Sequence, residues 1–372
     1  MLIISRRRLL ASAPAILGTA SMLPACSPGP APEDYEAVAT RTWRAGPLTG
    51  LDGTALGREL VRYATLAPSS HNTQCWKFAV GDKAITILPD LSRRCPAVDP
   101  DDHHLFVSLG CAAENLAQAA LAHGLRADAS FDAARGGVHV ALAATRGQAT
   151  PLFQAIPARQ CTRGDYDGRP LSPQELALLE QAGSSDTVRM LLLTGRPALE
   201  QVLAQVVQAN TALLADPAFV SELKGWIRFN GADAVRSGDG LFSAASGNPQ
   251  VPGWLGRLAF DRVFTPASEN DKIARQIRGC AGMAVFVGQA ADKKNWVEVG
   301  RCYERFALQA TALGIRNALL NQPVEVATAR PQFAAALGIA GLRPDLVARF
   351  GRGPAMPVSL RRPLAAVLEA SP

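Results

Sequence analysis

No C-x-x-C pair occurs among the seven cysteines of this 372-residue chain, which removes the common zinc-ribbon and dithiol-redox motifs. No G-x-G-x-x-G follows an apolar strand and no G-x-x-x-x-G-K-[ST] occurs, so neither a Rossmann nor a P-loop nucleotide site is expected. Charge of either sign is scarce in excess: the net +6 includes Arg6, Arg7 and Arg8, and what remains is too small to argue for a nucleic-acid partner. Beyond Leu23 no apolar run is long enough to span a membrane. Asp99, Asp101, Asp102, His103 and His104 could be taken for metal ligands. Adjacent histidines diverge on a helix or strand, so an acidic helix start is the better reading and no metal is expected. Composition is that of a globular protein, 48% hydrophobic, and the chain is long enough for a large core and more than one unit.

The first 26 residues read as a targeting segment. Arg6-Arg7-Arg8 supplies a charged head like that of twin-arginine signals, and the apolar or small run Leu9 to Leu23 is too short for a comfortable bilayer span. Leu23-Pro24-Ala25-Cys26 resembles a lipoprotein cleavage box and offers Cys26 as a lipid anchor. Residues 27–39 begin with three prolines before Glu33 and read as a linker. Export to the periplasm or anchoring in the cell envelope is the expected location. Six cysteines remain (Cys75, Cys95, Cys111, Cys161, Cys280, Cys302), and spacing does not choose among their pairings. Cys111 and Cys302 lie on helical apolar faces and read as buried thiols.

Two stretches repeat each other. Gly110-Cys111-Ala112-Ala113-Glu114 leads to Gly124-Leu125-Arg126, and Gly300-Arg301-Cys302-Tyr303-Glu304 leads to Gly314-Ile315-Arg316. Both carry apolar residues at helical spacing and end at a C-cap glycine. Each is read as the central helix of one of two like units, 40–150 and 151–372. Ser172-Pro173-Gln174-Glu175 is a capping box with Pro in the first helical position, so a helix starts there. Residues 219–277 have no counterpart in the first unit; their aromatics and turn residues suggest an irregular insertion that covers a site.

The stretch that organises the rest is Leu66-Ala67-Pro68-Ser69-Ser70-His71-Asn72-Thr73-Gln74-Cys75-Trp76. Pro68 ends a helix reaching Thr65, and five polar residues precede the alternating Trp76-Lys77-Phe78-Ala79-Val80. Hydroxyls and amides of both hydrogen-bonding senses, with no carboxylate, suit a flat, neutral, amide-like ligand edge. A-P-S-S-x-N-x-Q-x-W resembles the flavin-edge loop of the nitroreductase family, with Cys75 where that family usually has Pro. Within the family the chain looks closest to the Acg-like branch of long, duplicated chains, through His71-Asn72-Thr73-Gln74, Arg159-Gln160-Cys161-Thr162-Arg163 and Asn321-Gln322-Pro323-Val324-Glu325.

The resemblance implies an α+β fold in which two nitroreductase-like units form an internal pseudo-dimer within a monomer, with a lid inserted in the second unit. It implies one FMN per chain. The ring edge would meet Pro68, Ser69, Ser70 and Asn72; the phosphate would meet Arg159, Cys161 and Arg163, with Arg361 and Arg362 from the chain end. Asn321 and Gln322 stand where the family places a Glu-Gly pair beside the ring. His71 reads as a proton donor, a lid contact or a structural residue, and no catalytic acid or base is singled out. The expected activity is two-electron transfer through the flavin to a nitro- or quinone-type small molecule, from NAD(P)H or an envelope donor. The alternative is a flavin-storing protein under a closed lid.

Overall fold

A computed structural model describes residues 34–47 and 49–369; the expected signal, its Cys26 and most of the linker lie outside the described residues. The first half runs α1 (Tyr35–Thr42), α2 (Gly53–Thr65), β1 (Trp76–Val80), β2 (Ala84–Pro89), α3 (His103–Ala122), β3 (Leu125–Asp132), β4 (Gly137–Ala144) and α4 (Pro151–Ala155). The second half opens with α5 (Pro173–Gly183), β5 (Val188–Leu193), α6 (Arg196–Leu214) and α7 (Pro217–Trp226). It continues through β6 (Ile227–Arg228), α8 (Gly231–Ser237), β7 (Leu241–Phe242), α9 (Gly253–Val263) and α10 (Pro266–Arg278). It closes with β8 (Gly282–Gly288), α11 (Lys293–Ala312), β9 (Arg316–Leu319), α12 (Gln322–Glu325), α13 (Arg330–Ala336), β10 (Pro344–Gly351) and α14 (Leu364–Val367). Helix α1 begins inside the stretch expected to be linker.

The two main sheets share one topology. The first is ordered β1-β2-β4-β3 and the second β5-β8-β10-β9, every pair antiparallel. Each sheet therefore runs first-second-fourth-third along its own strands, with the long helix, α3 or α11, between its second and third. Those two helices cross at their repeated glycines. A Cβ built on Gly110 would lie 2.0 Å from the Val297 carbonyl oxygen, and one on Gly300 would lie 2.0 Å from that of Val107. Only glycine permits backbones this close, so the repeated glycines mark the crossing itself. The second pair, Gly124 (φ 79°) and Gly314 (φ 70°), ends each helix in the left-handed region, as a C-cap requires.

The core follows from strand periodicity. Strand β8 is buried throughout: Ala284 and Phe286 face a core shared with α3 and α11, while Met283, Val285 and Val287 face a second core with α6, α10 and α13. The first sheet is covered on one face only, and its β3 alternates half-buried with exposed. Each fully buried aliphatic or aromatic side chain contributes about 1.5–3 kcal/mol, so the shared core ties both halves together.

The insertion differs from expectation. It is mostly helical, and the caps explain why: the Asp216, Asn230 and Thr265 side chains each accept a backbone N–H of the helix that follows. Towards the other end, Gln322–Glu325 and Arg330–Ala336 form two short helices, α12 and α13, separated by Val326–Ala329. The Ser172–Glu175 capping box forms as read, with the Glu175 N–H on Ser172 Oγ at 3.2 Å and the Ser172 N–H on Glu175 Oε2 at 2.8 Å.

Candidate functional site

Three of the four residues His71 to Gln74 take the left-handed conformation although none is glycine: His71 (φ 47°), Asn72 (φ 54°) and Gln74 (φ 53°). Such strain persists only where the surroundings impose it. The Gln74 side chain donates to Gly238 O at 2.9 Å and accepts the Arg362 N–H at 2.8 Å, while its backbone N–H reaches Ser69 Oγ at 2.9 Å. Asn72 Nδ2 donates to Gly240 O at 3.0 Å and Leu360 O at 3.2 Å, and its Oδ1 accepts from Arg361 at 3.0 Å. The insertion and the chain end thus clamp the loop. Arg93 adds to the clamp by pairing with Asp239 of the insertion, which Arg228 also holds.

Three cavities meet at Ser69. The first, of about 50 Å³, is lined by Trp43, Pro68, Ser69, Asn72, Arg159, Cys161, Arg163 and Arg361, among others, and by no carboxylate. A narrow second, of about 40 Å³, runs from Ser69 and Ser70 to Tyr303, Leu319 and Asn321. The third, of about 260 Å³, is bounded by Ser70, His71, Arg163, Asn321, Gln322 and Arg349 on one side and by Leu213, Phe219, Leu223 and Phe264 on the other.

The arginines differ in what they have free. Arg159 is 2% exposed; its Nη2 donates to Leu66 O at 2.6 Å and its Nε lies 3.1 Å from Glu304 Oε1. Arg361 directs all its N–H groups at protein oxygens, those of Thr65, Leu66, Ala67, Asn72, Ser359 and Leu360, so it offers the cavity charge rather than donors. Burial, and then Arg159, push its guanidinium down to about 9. Arg163 is half-buried, lines both the first and third cavities, and has no hydrogen-bonded or ion-paired partner for its guanidinium among the described residues. Residues 159, 161 and 163 share one side because the chain is extended there, Thr162 bonding to Asn317 at 2.8 Å.

Glu304 sits beneath this group, wholly buried; burial raises its carboxyl to about 7 against the pull of Arg159. His71 is held neutral: burial, then Arg163, lowers it to about 4, and its Nδ1 lies 3.6 Å from Cys95 Sγ.

Pro68, Ser69, Ser70, Asn72, Arg159, Cys161, Arg163, Asn321, Gln322 and Arg361 all line these joined cavities. Arg362 does not. It lines a fourth cavity with Arg41, Arg44 and Arg62, which Arg361 also borders; it bonds to Gln74 and Ala366 and lies 3.7 Å from Asp90. Its backbone direction after Arg361 sends it to the opposite side of the chain. Asn72, expected at a ring edge, lines the first cavity with its amide already joined to the insertion.

Three residues escaped the sequence reading. Arg349 is fully buried in β10 and lines the third cavity; its Nε and Nη1 have no hydrogen-bond partner. The signal was a lone cation in the apolar run Leu346 to Phe350. Trp43 walls the first cavity, its ring centre 4.8 Å from the Arg361 guanidinium carbon. Glu304 was visible as a repeat position but not as the counter-charge of Arg159. The buried donors left over on Arg349, the Arg163 guanidinium and the unpartnered Gln322 Oε1 fit an anionic ligand carrying a polar flat group.

No family model matches the chain. It is similar to two proteins of Mycobacterium tuberculosis (strain ATCC 25618 / H37Rv). One, "Putative NAD(P)H nitroreductase Rv3131", is 26% identical over 84% of this chain and 90% of that protein. The other, "Putative NAD(P)H nitroreductase acg", is 23% identical over 82% of this chain and 93% of that protein. Among solved structures, the FMN-dependent nitroreductase NfnB from Mycobacterium smegmatis in complex with NADPH aligns with 60% of this chain and 98% of its own, at 13% identity and a TM-score of 0.40. The nitroreductase resemblance carried by Ala67 to Trp76 therefore extends over most of the chain.

Proposed function

We propose that this chain is an FMN-dependent oxidoreductase of the nitroreductase type, holding one FMN where the Pro68–Asn72 loop meets the second half of the chain. The observation that carries the reading is the first cavity: three arginines and no carboxylate line it, and it opens at Ser69 onto a hydroxyl-rich loop and a larger chamber. The relatives, described as NAD(P)H nitroreductases, support it. Bound flavin would supply the two-electron chemistry. Arg163 donates to the phosphate, Arg159 holds its charge beside it with Glu304 behind, and Arg361 adds positive potential. Ser69 and Ser70 bond the flat edge, and Asn321 and Gln322 face the ring from the other half. The apolar wall of the insertion excludes water, so 219–277 acts as a lid.

The donor is NAD(P)H or an envelope reductant, and the acceptor is a small nitro- or quinone-type molecule. The matching sheet orders and reciprocal glycine contacts support a tandem duplication, an internal pseudo-dimer in a monomeric protein. Arg6-Arg7-Arg8 and the apolar run behind it support export through the twin-arginine route. A second reading, flavin storage with little turnover, is favoured by the clamp that fastens Gly238, Asp239 and Gly240 of the insertion to the loop.

An absorbance spectrum of the purified protein, followed by NADPH without oxygen, tests both. Yellow protein bleached at catalytic rates supports the reductase. Yellow protein that answers only dithionite supports storage. Protein that stays colourless after incubation with FMN overturns both.

A further inference from the structure

Six large apolar side chains stand exposed among the described residues, and four of them belong to one helix, α9: Trp254 (70% exposed), Leu255 (38%), Leu258 (63%) and Val263 (69%). Trp254, Leu255 and Leu258 share a face at helical spacing. The opposite face is already used. Gly256 lets the Phe229 ring approach to 2.2 Å from where a Cβ would stand, and Phe260 packs into a small core that the insertion forms with Cys95, Val98 and Leu213. A helix apolar on both faces needs two apolar partners, and the fold supplies one.

The unpaired charges around the outer face are positive. Asp261 is taken by Lys224 at 3.0 Å, whereas Arg257 and Arg262 are exposed with no partner among the described residues. The start of the described chain lies close by. Tyr35 Cβ and Gln250 Oε1 stand 3.4 and 3.6 Å from the Cβ position of Gly231, and Asn230 donates to Val251 O at 3.1 Å, just ahead of α9. Preceding Tyr35 in sequence are the arginines, the apolar run and Cys26 that read as a membrane-directed segment.

We propose that α9 is a membrane-surface helix. Trp254, Leu255 and Leu258 enter the interface of a bilayer bearing anionic lipid, with Arg257 and Arg262 at the headgroup phosphates. A tether from Cys26 to Asp34, at most about 3.5 Å per residue, would hold the folded unit within reach of that same surface. A second copy of the chain fits less well, because like faces brought together set arginine against arginine. The proposal is independent of what the cleft binds.

Trp254 is itself the probe, since Trp43 and Trp226 are half-buried and Trp76 and Trp296 buried. The full chain is mixed with phosphatidylglycerol vesicles carrying brominated acyl chains, and tryptophan emission is recorded. Emission should be quenched, less so at high salt, and most of the quenching should vanish in Trp254→Phe and in Leu258→Glu with the circular dichroism spectrum unchanged. Equal quenching in Trp254→Phe, or none in the unsubstituted chain, overturns the proposal. So does a concentration-dependent dimer that Leu258→Glu abolishes without any lipid quenching, which would make the face a self-association surface.

Discussion

Each half of the chain passes from a helix into its first strand through a serine pair, yet the two connections have opposite fates. After α2, Pro68 to Gln74 is held open by partners from the insertion and the chain end; its residues wall three joined cavities, the strained Asn72 the first and His71 the third. After α5, Gly183-Ser184-Ser185-Asp186 closes on itself, the Ser185 N–H bonding Val188 O at 2.9 Å. None of the four cavities described touches that second turn. The helices behind the loops differ in the same sense. Glu304 on α11 has Arg159 as its partner, from the segment joining the halves. Its counterpart Glu114 on α3 is met by Arg301 and Arg305 of α11 at 3.3 and 3.0 Å, and Arg305 also bonds Ala182 O at 3.2 Å. Where α11 has Arg301 and Arg305, α3 has Cys111 and Asn115. The second position is filled by the protein's own cations, whereas the first borders the joined cavities. Two sheets of one strand order thus meet two unlike connections.

The comparison breaks most sharply at Arg159. Arg159→Ala leaves Glu304 buried without its counter-charge and should cost about 3–5 kcal/mol in chemical denaturation. Adding Glu304→Gln should recover most of that stability without restoring FMN, while riboflavin binding suffers less than FMN binding. Equal losses of both ligands would remove Arg159 from the phosphate. Next come Gly110→Ala and Gly300→Ala, each of which places a Cβ 2.0 Å from a carbonyl oxygen. Both should destabilise by about 1–3 kcal/mol or more, and by similar amounts; unequal losses would break the two-fold relation of the crossing.

Asn72→Ala should cost about 1–3 kcal/mol by unpairing Gly240 and Arg361, and should lower flavin content. Asp186→Ala, in the counterpart turn, should change stability by under about 0.5 kcal/mol and flavin content not at all. Flavin content unmoved in Asn72→Ala would take the loop out of the site.

The smallest effect is that of pH on Glu304. Its carboxyl rises from an ordinary 4.5 to about 7 on folding, so between those values the native state holds the extra proton. Its contribution to stability therefore falls as pH rises through that window. Below about 7 the protonated carboxyl leaves more of the Arg159 charge for an anion, and FMN should bind several-fold tighter at pH 6 than at pH 8. Glu304→Gln should flatten that dependence in a fluorescence titration.

Much of this arrangement was legible locally. The Ser172–Glu175 cap, the helical spacing of both repeats, the C-cap glycines and the loop opened by Pro68 each rest on neighbours within a few residues. The helices of the insertion were legible in principle too, through Asp216, Asn230 and Thr265, but turn residues and aromatics masked them. What no local pattern could supply was the state of each polar group. Arg361 and Arg362 are adjacent and chemically alike, yet Arg361 bonds Thr65 O at 2.6 Å and walls the cleft while Arg362 turns to Asp90.

The sequence by itself determined where the capped helix at Ser172 starts and that the stretches after Gly110 and Gly300 repeat each other, because caps, turns and apolar periodicity act over a few residues. The tertiary structure alone decided which connection opens onto cavities and which arginine lining them has no partner among the described residues. Those outcomes rest on hydrogen bonds and ion pairs between residues as far apart as Asn72 and Arg361, and on burial that only the packed halves create.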